Sequence, residues 1–301
     1  IVLRKGKEQS LERLHPWVFS GAVARQPDNI EEGDTVKVVS STGNVIGTGH
    51  YQIGSITVRI LAWGDSPVDA PLYSERLKAA YQLRRALKLI NRHNNAYRLV
   101  HGEGDFLPGL VVDVYGDTAV LQAHSPGMHF ARDIIASELV NLPDAGIKNV
   151  YYKSETTLPY KAHLDPQNQY IVGSYSTNVA EENGLKFHVD WLKGQKTGFF
   201  VDQRDNRALL EKYAHNRKVL NMFCFAGGFS VYALRGGAEL VHSVDSSAKA
   251  IALTDDNVRL NFPDDTRHTS YAEDAFKFLS AMDTPYDLII LDPPAFANHR
   301  S

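Results

Sequence analysis

The sequence predicts an α/β protein made of three parts: a small N-terminal β-barrel, a central α+β domain and a C-terminal doubly wound parallel sheet. Three patterns indicate this: short alternating runs up to about residue 66, a long amphipathic helix followed by a hairpin, and then strands that alternate with helices. The chain has 301 residues, which is long for a single core, because most domains hold about 100–200 residues. We therefore expect domains over residues 1–66, 67–190 and 191–301.

The composition excludes several classes of protein. Hydrophobic residues make up 43% of the chain and charged residues 22%, as in ordinary globular proteins. No apolar run approaches the roughly 20 residues that a membrane-spanning helix needs, and the N-terminus lacks the apolar segment and cleavage site of a signal peptide. Cys224 is the only cysteine, which excludes a disulfide within the chain and a cysteine-rich zinc site. We expect a cytoplasmic protein without a membrane partner.

The barrel is predicted from two alternating runs, over residues 35–39 and 56–61, with a turn at 41–44. The start of the chain also offers local positive charge, although the net charge of −3 argues against binding nucleic acid through overall charge. Basic side chains there interleave with an aromatic ring, as phosphate contacts and base stacking require: Arg4, Lys5, Lys7, Arg13, His15 and Trp17. The alternative is a solvated charged face. His15 and His101 have no partners at metal-ligand spacing, so we expect no metal.

The central part opens with a helix predicted over residues 72–92, because apolar residues recur there every three to four positions. Basic residues fill its polar face: Arg76, Lys78, Arg84, Arg85, Lys88 and Arg92. Strands over 110–115 and 118–122 follow, and Gly116-Asp117 between them is typical of a hairpin turn. A helix near 128–141 and strands near 148–153 and 185–190 complete this part.

The last part alternates strands and helices. Strands are predicted over 219–223, 240–244 and 287–291, and helices begin near 229, 247 and 274. Ser246 or Ser247 is the expected cap of the second helix. This rhythm predicts a parallel, doubly wound sheet, in which ligands bind beyond the carboxyl ends of the strands.

Three of these strand ends carry residues suited to binding a nucleotide-like cofactor. The first is the loop 221–229, where Gly227 and Gly228 allow the backbone to approach a ligand closely. The second is Asp245, which could accept hydrogen bonds from a ribose diol. The third is Asp292-Pro293-Pro294. Taken singly, each has a structural explanation: a tight turn, a carboxylate at a helix N-terminus and a rigid strand exit. Their occurrence on successive strand ends favours a site.

A glycine loop followed by an acidic residue also occurs in dinucleotide-dependent dehydrogenases. Here the Gly-x-Gly-x-x-Gly pattern is absent. The Asp-Pro-Pro segment favours a different chemistry, because two successive prolines present stiff carbonyl acceptors and Phe296 could stack on a flat base. We therefore expect Asp292, Pro293, Pro294 and Phe296 to form the site of the target base.

Longer segments resemble a known family. Residues 3–8 and 15–21 read Leu-Arg-Lys-Gly-Lys-Glu and His-Pro-Trp-Val-Phe-Ser-Gly, and residues 97–105 read Tyr-Arg-Leu-Val-His-Gly-Glu-Gly-Asp. Residues 107–110 read Leu-Pro-Gly-Leu, and 196–207 read Lys-Thr-Gly-Phe-Phe-Val-Asp-Gln-Arg-Asp-Asn-Arg. Over its whole length the chain resembles the large-subunit ribosomal RNA methyltransferase family with an N-terminal PUA domain, best known for methylating cytosine C5 in 23S rRNA.

The resemblance implies a PUA-like barrel, a Rossmann-like class I methyltransferase domain, S-adenosylmethionine as cofactor and RNA as partner. It places Gln203 and Arg204 over the cofactor, with Phe199 shaping the pocket. The methionine side would be lined by Asn221, Phe223, Ala226 and Gly227. Asp245 would bind the ribose hydroxyls, Asp274 the adenine amino group, and Asp292 would face the methyl group. A solvated helix start is the alternative for 203–207, and a homodimer is left open.

Cytosine C5 methylation needs a cysteine nucleophile, because C5 does not take a methyl group directly. Cys224 lies in the predicted cofactor loop, so we interpret it as a small packed residue. The family resemblance implies a nucleophilic cysteine well after the Asp-Pro-Pro motif, so we expect it beyond Ser301 and expect the methyltransferase domain to be incomplete after that motif. Two alternatives stay open: methylation of a guanine or adenine nitrogen, which needs no cysteine, and a non-catalytic RNA-binding or ribosome-assembly protein. Asn221, Gly227, Asp245 and Asp292 argue against the latter.

Overall fold

A computed structural model describes residues 1–159 and 163–293. The chain divides into two compact units. The first comprises Ile1–Thr177 and Trp191–Gly198, and the second comprises Asn178–Asp190 and Phe199–Ser301. Within the described ranges, no helix is long and apolar enough to cross a membrane.

The first unit begins with a six-stranded sheet. Its strands are β1 (Val2–Leu3), β2 (Trp17–Phe19), β3 (Val23–Arg25), β4 (Thr35–Val39), β5 (Val45–Tyr51) and β6 (Ile56–Trp63), in the order β2-β6-β5-β4-β1-β3. A short helix, α1 (Gln9–Glu12), precedes β2. The apolar positions of the alternating runs form its core, which includes Leu3, Leu11, Val38 and Val58. The predicted strands over 35–39 and 56–61 are confirmed.

A five-stranded sheet follows in the same unit. It contains β7 (Ala96–His101), β8 (Leu110–Tyr115), β9 (Thr118–Ala123), β10 (Asn149–Tyr152) and β11 (Gln169–Val172), in the order β11-β10-β9-β8-β7. Only β9 and β10 in it run parallel. The helices are α2 (Ala70–Ala86), α3 (Pro126–Phe130) and α4 (Arg132–Val140). The predicted hairpin is confirmed, and Gly116 has the positive φ of 62° that its turn requires.

Helix α2 differs from its prediction at the C-terminal end and on its polar face. It ends at Ala86 rather than near residue 92, because Lys88 takes a left-handed conformation with φ of 57°. Arg84 is buried rather than solvated. Its Nη2 donates to Asp105 Oδ2 at 2.8 Å, and its Nε donates to the Arg98 carbonyl at 3.0 Å. The prediction that Arg84 lies on the polar face of this helix was therefore wrong.

The second unit opens with a hairpin, β12 (Val179–Glu182) and β13 (Leu185–His188). Two asparagine side chains of the helix over Ala248–Asn261 bind this hairpin. Asn257 Oδ1 accepts from the His188 N–H at 2.7 Å, and Asn261 Oδ1 accepts from the Lys186 N–H at 2.9 Å. The sequence pattern places this segment in the central part, whereas the structure groups it with the second unit. The division at 66 and 190 stays a prediction.

The rest of the second unit is the predicted alternation. Its elements are α5 (Arg204–Tyr213), β14 (Lys218–Met222), α6 (Gly228–Arg235), β15 (Leu240–Asp245), α7 (Ala248–Asn261), β16 (His268–Ala272), α8 (Ala275–Ala281) and β17 (Leu288–Leu291). All four strands are parallel, in the order β16-β15-β14-β17. The doubly wound sheet and the Ser247 cap of α7, whose Oγ accepts from the Ala250 N–H at 3.3 Å, are confirmed.

Candidate functional site

The carboxyl ends of three strands lie at nearly one level of the parallel sheet. Met222 pairs with Val244 on β15 and with Leu291 on β17, so β14 and β17 end at the same level, one residue before the end of β15 at Asp245. The chain order runs outward from β14 to β16 and then returns to the other side of β14 with β17. That reversal is the switch point where open α/β sheets bind ligands.

The loop after β14 has an unusual backbone. Phe223 and Phe225 take positive φ values of 57° and 50°, and Gly227 takes 70°. A left-handed conformation costs a residue with a Cβ about 1–2 kcal/mol. Two backbone hydrogen bonds maintain it, from the Cys224 N–H to the Val244 carbonyl at 3.1 Å and from the Gly227 N–H to the Cys224 carbonyl at 2.8 Å. Such strain concentrates at ligand-binding sites.

Glycine is required at position 227 by close packing as well as by its φ. A Cβ there would lie 2.6 Å from Thr254 Cγ2 on α7. The neighbouring Ala226 is buried, and its carbonyl accepts from Asn257 Nδ2 at 2.8 Å. The loop is therefore fixed directly against α7.

Asp245 ends β15 and is half-buried beside this loop. Its Oδ2 accepts from the Phe225 N–H at 3.1 Å, and its Oδ1 accepts from the Ser247 N–H at 2.9 Å. A carboxylate offers about four acceptor positions, so lone pairs are left for a ligand. The residue thus shapes the loop and has the acceptor capacity that a ribose diol needs.

The remaining predicted strand-end residues are exposed. Asp274 follows β16, and its Oδ1 accepts from the N–H groups of Phe276 at 3.0 Å and Lys277 at 3.1 Å, so it caps α8. Asp292 and Pro293 follow β17 directly and are exposed. Pro294 and Phe296 lie outside the described residues.

Two further predicted cofactor residues, Asn221 and Phe199, are also buried. Asn221 points to α6, where its Nδ2 donates to Ser230 Oγ at 2.9 Å, and it is 1% exposed. Phe199 packs on Phe187 with ring centroids 5.0 Å apart, and the Arg207 guanidinium lies 4.6 Å from its ring centre. Both hold neighbouring parts of the second unit in place through packing.

Gln203 and Arg204 lie at the start of α5. Gln203 Oε1 accepts from Asn206 Nδ2 at 2.7 Å, and Arg204 Nε donates to Asp205 Oδ1 at 3.2 Å. One turn later, Arg207 is buried and donates to both carboxylate oxygens of Glu182 at 2.8 and 2.7 Å.

The same Arg207 donates from Nη2 to the Phe200 carbonyl at 3.0 Å. This ion pair was not predicted, because Glu182 lies in a short strand with no chemical motif. It fixes the helix start that carries Gln203 and Arg204.

An aromatic pair beside the loop was also missed. The rings of Phe200 and Phe225 meet edge to face with centroids 5.2 Å apart. Phe225 belongs to the loop that Asp245 binds, and Phe200 is 36% exposed. The sequence offered one signal for this pair: both the 196–207 segment and the glycine loop contain a further phenylalanine besides the one that was named for the site.

Cys224 is a packed residue, as predicted. It is 6% exposed, and its Sγ lies 3.5 Å from Thr254 Oγ1. Burial raises the pKa of its thiol to about 12. The thiolate that a nucleophile requires is therefore absent near neutral pH.

The predicted RNA-binding residues lie in the six-stranded sheet and its connections. Arg4, Lys5, Lys7 and Arg13 are exposed, although Arg4 Nε donates to the Val23 carbonyl at 3.0 Å. Trp17 is half-buried, and its Nε1 donates to Glu103 Oε1 at 2.8 Å. Among the described residues, no group of three His, Cys, Asp or Glu side chains is placed to hold a metal ion.

Comparison with known proteins decides the family. Residues 157–300 match the S-adenosylmethionine-dependent methyltransferase family, and residues 1–63 match a PUA-like domain. A ribosomal RNA large subunit methyltransferase I of Aeromonas hydrophila is 39% identical over 100% of this chain and 77% of its own length. The chain belongs to this methyltransferase family. A member from Escherichia coli is 36% identical over the same shares.

The fold of the family agrees with solved structures. A SAM-dependent methyltransferase from Streptococcus mutans superimposes with a TM-score of 0.81, at 23% identity over 98% of this chain and 76% of that one. A methyltransferase complexed with SAH gives a TM-score of 0.83, at 24% identity over 99% and 77%. The chain thus combines a PUA-like domain with an S-adenosylmethionine-dependent methyltransferase fold.

The strand-end site fits that cofactor. Asp245 offers a half-buried carboxylate, Gly227 packs closely against α7 and so fixes the 223–227 loop, and Phe200 and Phe225 offer partly exposed ring surface. A ribose diol and a flat purine are the groups that such a carboxylate and such rings bind. Bound there, S-adenosylmethionine would supply an electrophilic methyl group.

Proposed function

We propose that this protein methylates C5 of a cytosine in large-subunit (23S) ribosomal RNA. The observation that carries the proposal is the meeting of the β14, β15 and β17 ends at the switch point of a methyltransferase sheet. The relatives named as ribosomal RNA large subunit methyltransferases support the substrate class. The PUA-like match supports an RNA substrate, and we place the protein in the cytoplasm.

We assign the cofactor to the second unit. Asp245 would accept hydrogen bonds from the ribose, and the loop through Phe223, Ala226 and Gly227 would surround the methionine moiety. Asp274 would accept a hydrogen bond from the adenine amino group. Gln203 and Arg204 would lie over the cofactor. Phe199 and Asn221 would support the pocket indirectly, through the ring contact of Phe199 with Phe187 and the hydrogen bond of Asn221 to Ser230.

The target base is assigned to the segment after β17. Asp292 and Pro293 are exposed there, next to the loop after β14 in register. Their acceptor oxygens would orient the base, and Pro294 and Phe296 are assigned to the same role from their sequence positions. No residue of this chain is proposed as the nucleophile, because Cys224 is buried with a raised thiol pKa.

Arg4, Lys5, Lys7, Arg13 and Trp17 are assigned to RNA contact. The exposed cations would bind phosphates. Trp17 meets His15 edge to face with centroids 5.5 Å apart, and the exposed Phe19 at 6.1 Å. These rings would offer stacking surface for unpaired bases.

Nucleoside analysis tests the proposal. The full-length protein would be incubated with 23S rRNA lacking its own modifications and with S-adenosylmethionine carrying a labelled methyl group. After digestion, we expect the label in 5-methylcytidine, as identified by mass spectrometry. Label in a methylated guanosine or adenosine would support the nitrogen-methylation alternative. Absence of label in RNA would favour the non-catalytic RNA-binding alternative.

A further inference from the structure

A cavity of about 540 Å³ lies in the first unit, and every described residue that lines it belongs to that unit. It is formed by the end of β9, the segment after β10, Asn168, and the segment 192–196. Its volume falls within the roughly 300–1,000 Å³ of small-molecule sites. Those sites are mostly apolar, whereas this cavity has Leu192 as its only apolar side chain among the described lining residues.

The cavity lies beyond the carboxyl ends of a parallel strand pair. Tyr152 on β10 pairs with Leu121 on β9, so Gln122, His124 and Lys153 follow the paired ends on the same edge. The Lys153 N–H still donates to the Leu121 carbonyl at 2.9 Å. The pair thus repeats locally the strand-end geometry that binds ligands in parallel sheets.

The described lining is positively charged. It contains Lys153, Lys193 and Lys196 against a single acidic residue, Glu155, which gives a formal charge of 3 − 1 = +2. Glu155 already makes two hydrogen bonds with Asn168. Its Oε1 accepts from the Asn168 N–H at 3.1 Å, and its backbone N–H donates to Asn168 Oδ1 at 3.2 Å. A cavity whose lining carries a net charge of one sign concentrates ligands of the other sign.

One wall of the cavity is the segment 192–198, which carries Lys193 and Lys196, and hydrogen bonds to neighbouring residues hold it in place. Thr197 Oγ1 donates to Asp113 Oδ2 at 2.6 Å, and Arg98 donates to both oxygens of the same buried carboxylate at 2.8 and 3.0 Å. Lys153 Nζ donates to the Gly194 carbonyl at 2.6 Å. The 192–198 segment is therefore held in place before a ligand arrives, which lowers the entropy cost of binding.

The turn at the end of this wall places Lys196 in a constrained position. The Gly198 N–H donates to the Gln195 carbonyl at 2.8 Å, and Lys196 takes a left-handed φ of 50°. Packing around the His124 ring lowers its pKa, and the positive charge of Lys196 lowers it further. Lys196 is thus close to the cavity rim at His124 and is exposed.

We propose that this cavity binds a phosphodiester of the RNA substrate. The proposal rests on the proposed function for the presence of RNA. Lysine ammonium groups bind phosphate oxygens as point charges, and the amide groups of Gln122 and Asn168 lie in the same lining. The hydroxyl of Thr156 and the carboxylate of Glu155 are suited to the ribose hydroxyls beside that phosphate.

Fluorescence anisotropy with a labelled single-stranded RNA of about 16 nucleotides tests this cavity directly. The variant is Lys193→Gln with Lys196→Gln. The control is Lys37→Gln with Lys148→Gln, which removes the same charge from exposed positions of the same unit outside the cavity lining. Kd would be measured over a series of salt concentrations, and KM for rRNA would be measured in the methylation assay.

We expect the cavity variant to bind RNA about 10-fold more weakly near 0.1 M salt, and the slope of log Kd against log salt to fall by about 0.7 for each phosphate that is no longer neutralised. KM for rRNA should rise while kcat stays near that of the control. Equal Kd, slope and KM in cavity variant and control would overturn the cavity assignment and leave the methyltransferase proposal intact.

Two further outcomes separate the proposals. If the unaltered protein binds the RNA and the cavity variant loses affinity, but no nucleoside is methylated, the cavity assignment stands and the proposed function fails. Saturable binding of inorganic phosphate that depends on Lys193 and Lys196, together with unchanged RNA affinity in the variant, would assign the cavity to a small anion and overturn the RNA assignment.

Discussion

At the scale of single residues, Asp245 combines two roles in one carboxylate. Its oxygens accept the N–H groups of Phe225 and Ser247 and so shape the loop after β14. The remaining lone pairs are the acceptors that we assign to the ribose. Removing a group that both shapes a site and binds its ligand should weaken binding of that ligand, whichever role is larger.

We predict that Asp245→Ala weakens binding of S-adenosylmethionine by about 1–3 kcal/mol, because a charge-assisted hydrogen bond is removed. Calorimetric titration measures the change. The control is Asp256→Ala on α7, which removes an exposed carboxylate that pairs with Arg259. Unchanged affinity in the Asp245 variant would remove this residue from the site.

Cys224 leads to the opposite prediction, that its removal leaves methyl transfer intact. Cys224→Ala deletes a buried sulfur next to Thr254 and should cost about 1 kcal/mol of stability. The rate of RNA methylation should stay within about threefold of the unaltered protein, because a thiol with a pKa raised to about 12 is not the nucleophile. A loss of several orders of magnitude, with the fold intact by circular dichroism, would show that the thiol reacts.

At the scale of secondary structure elements, the hairpin β12–β13 and helix α5 are joined by the Glu182–Arg207 ion pair. Both side chains are almost fully buried, at 0% and 3% exposed. Tyr232 on α6 adds a hydrogen bond from its hydroxyl to Glu182 Oε1 at 2.9 Å. Three elements therefore depend on one carboxylate, and the helix start that carries Gln203 and Arg204 depends on it indirectly.

Glu182→Gln should destabilise this part of the second unit by about 3–5 kcal/mol, because it leaves the Arg207 charge buried without its counter-ion. Hydrogen exchange of the backbone amides in α5 and β12 would show the change as faster exchange. The matched control is Asp205→Asn, whose side chain is 88% exposed beside Arg204 and should cost less than about 0.5 kcal/mol. Equal protection in the two variants would contradict this account.

In the first unit, α3 and β5 meet at His50. A Cβ on Gly127 would lie 2.1 Å from the His50 ring, and the Tyr73 hydroxyl lies 3.4 Å from its Nε2. Burial lowers the pKa of His50 to about 4, and the charge of Arg59 acts in the same direction. The imidazole is thus held neutral within the fold.

This depressed pKa makes the first unit less stable in acid. The unfolded chain binds a proton near pH 6.5 and the folded chain only near pH 4. The His50 contribution is therefore fully present above about pH 6.5 and is lost as the pH falls through 4, a change of about 3 kcal/mol. All three tryptophans, Trp17, Trp63 and Trp191, lie in this unit, so their fluorescence reports its unfolding in urea.

The variant for this test is His50→Gln, which should unfold with a smaller difference between pH 7 and pH 4 than the unaltered protein. His93→Gln, at an exposed position of the same unit, should leave that difference unchanged. An equal pH difference in all three proteins would show that His50 does not carry the effect.

At the scale of the whole molecule, periodicity predicted the elements better than their side-chain directions. The strand ends at Asp245 and Asp292 were located correctly because apolar strands end at polar residues. The direction of Asn221 was not available from the sequence, since β14 is buried on both faces and either face could carry it. Contacts between distant segments, such as Glu182 with Arg207, leave no local pattern to read.

The end of α2 shows the same limit. Its apolar spacing continues to Ile90, yet the helix stops because Lys88 turns left-handed, a choice that local periodicity does not encode. The family resemblance of the 196–207 segment named Phe199 as the residue that shapes the pocket. The sequence does not reveal that Phe199 is buried and that its neighbour Phe200 is partly exposed.

We assign the S-adenosylmethionine site to the ends of β14, β15 and β17 in the second unit. The decisive experiment is calorimetric titration of the protein with S-adenosylmethionine, with NAD titrated alongside. We expect saturable binding of S-adenosylmethionine in the micromolar range and no binding of NAD. Binding of NAD, or of neither compound, would contradict the assignment.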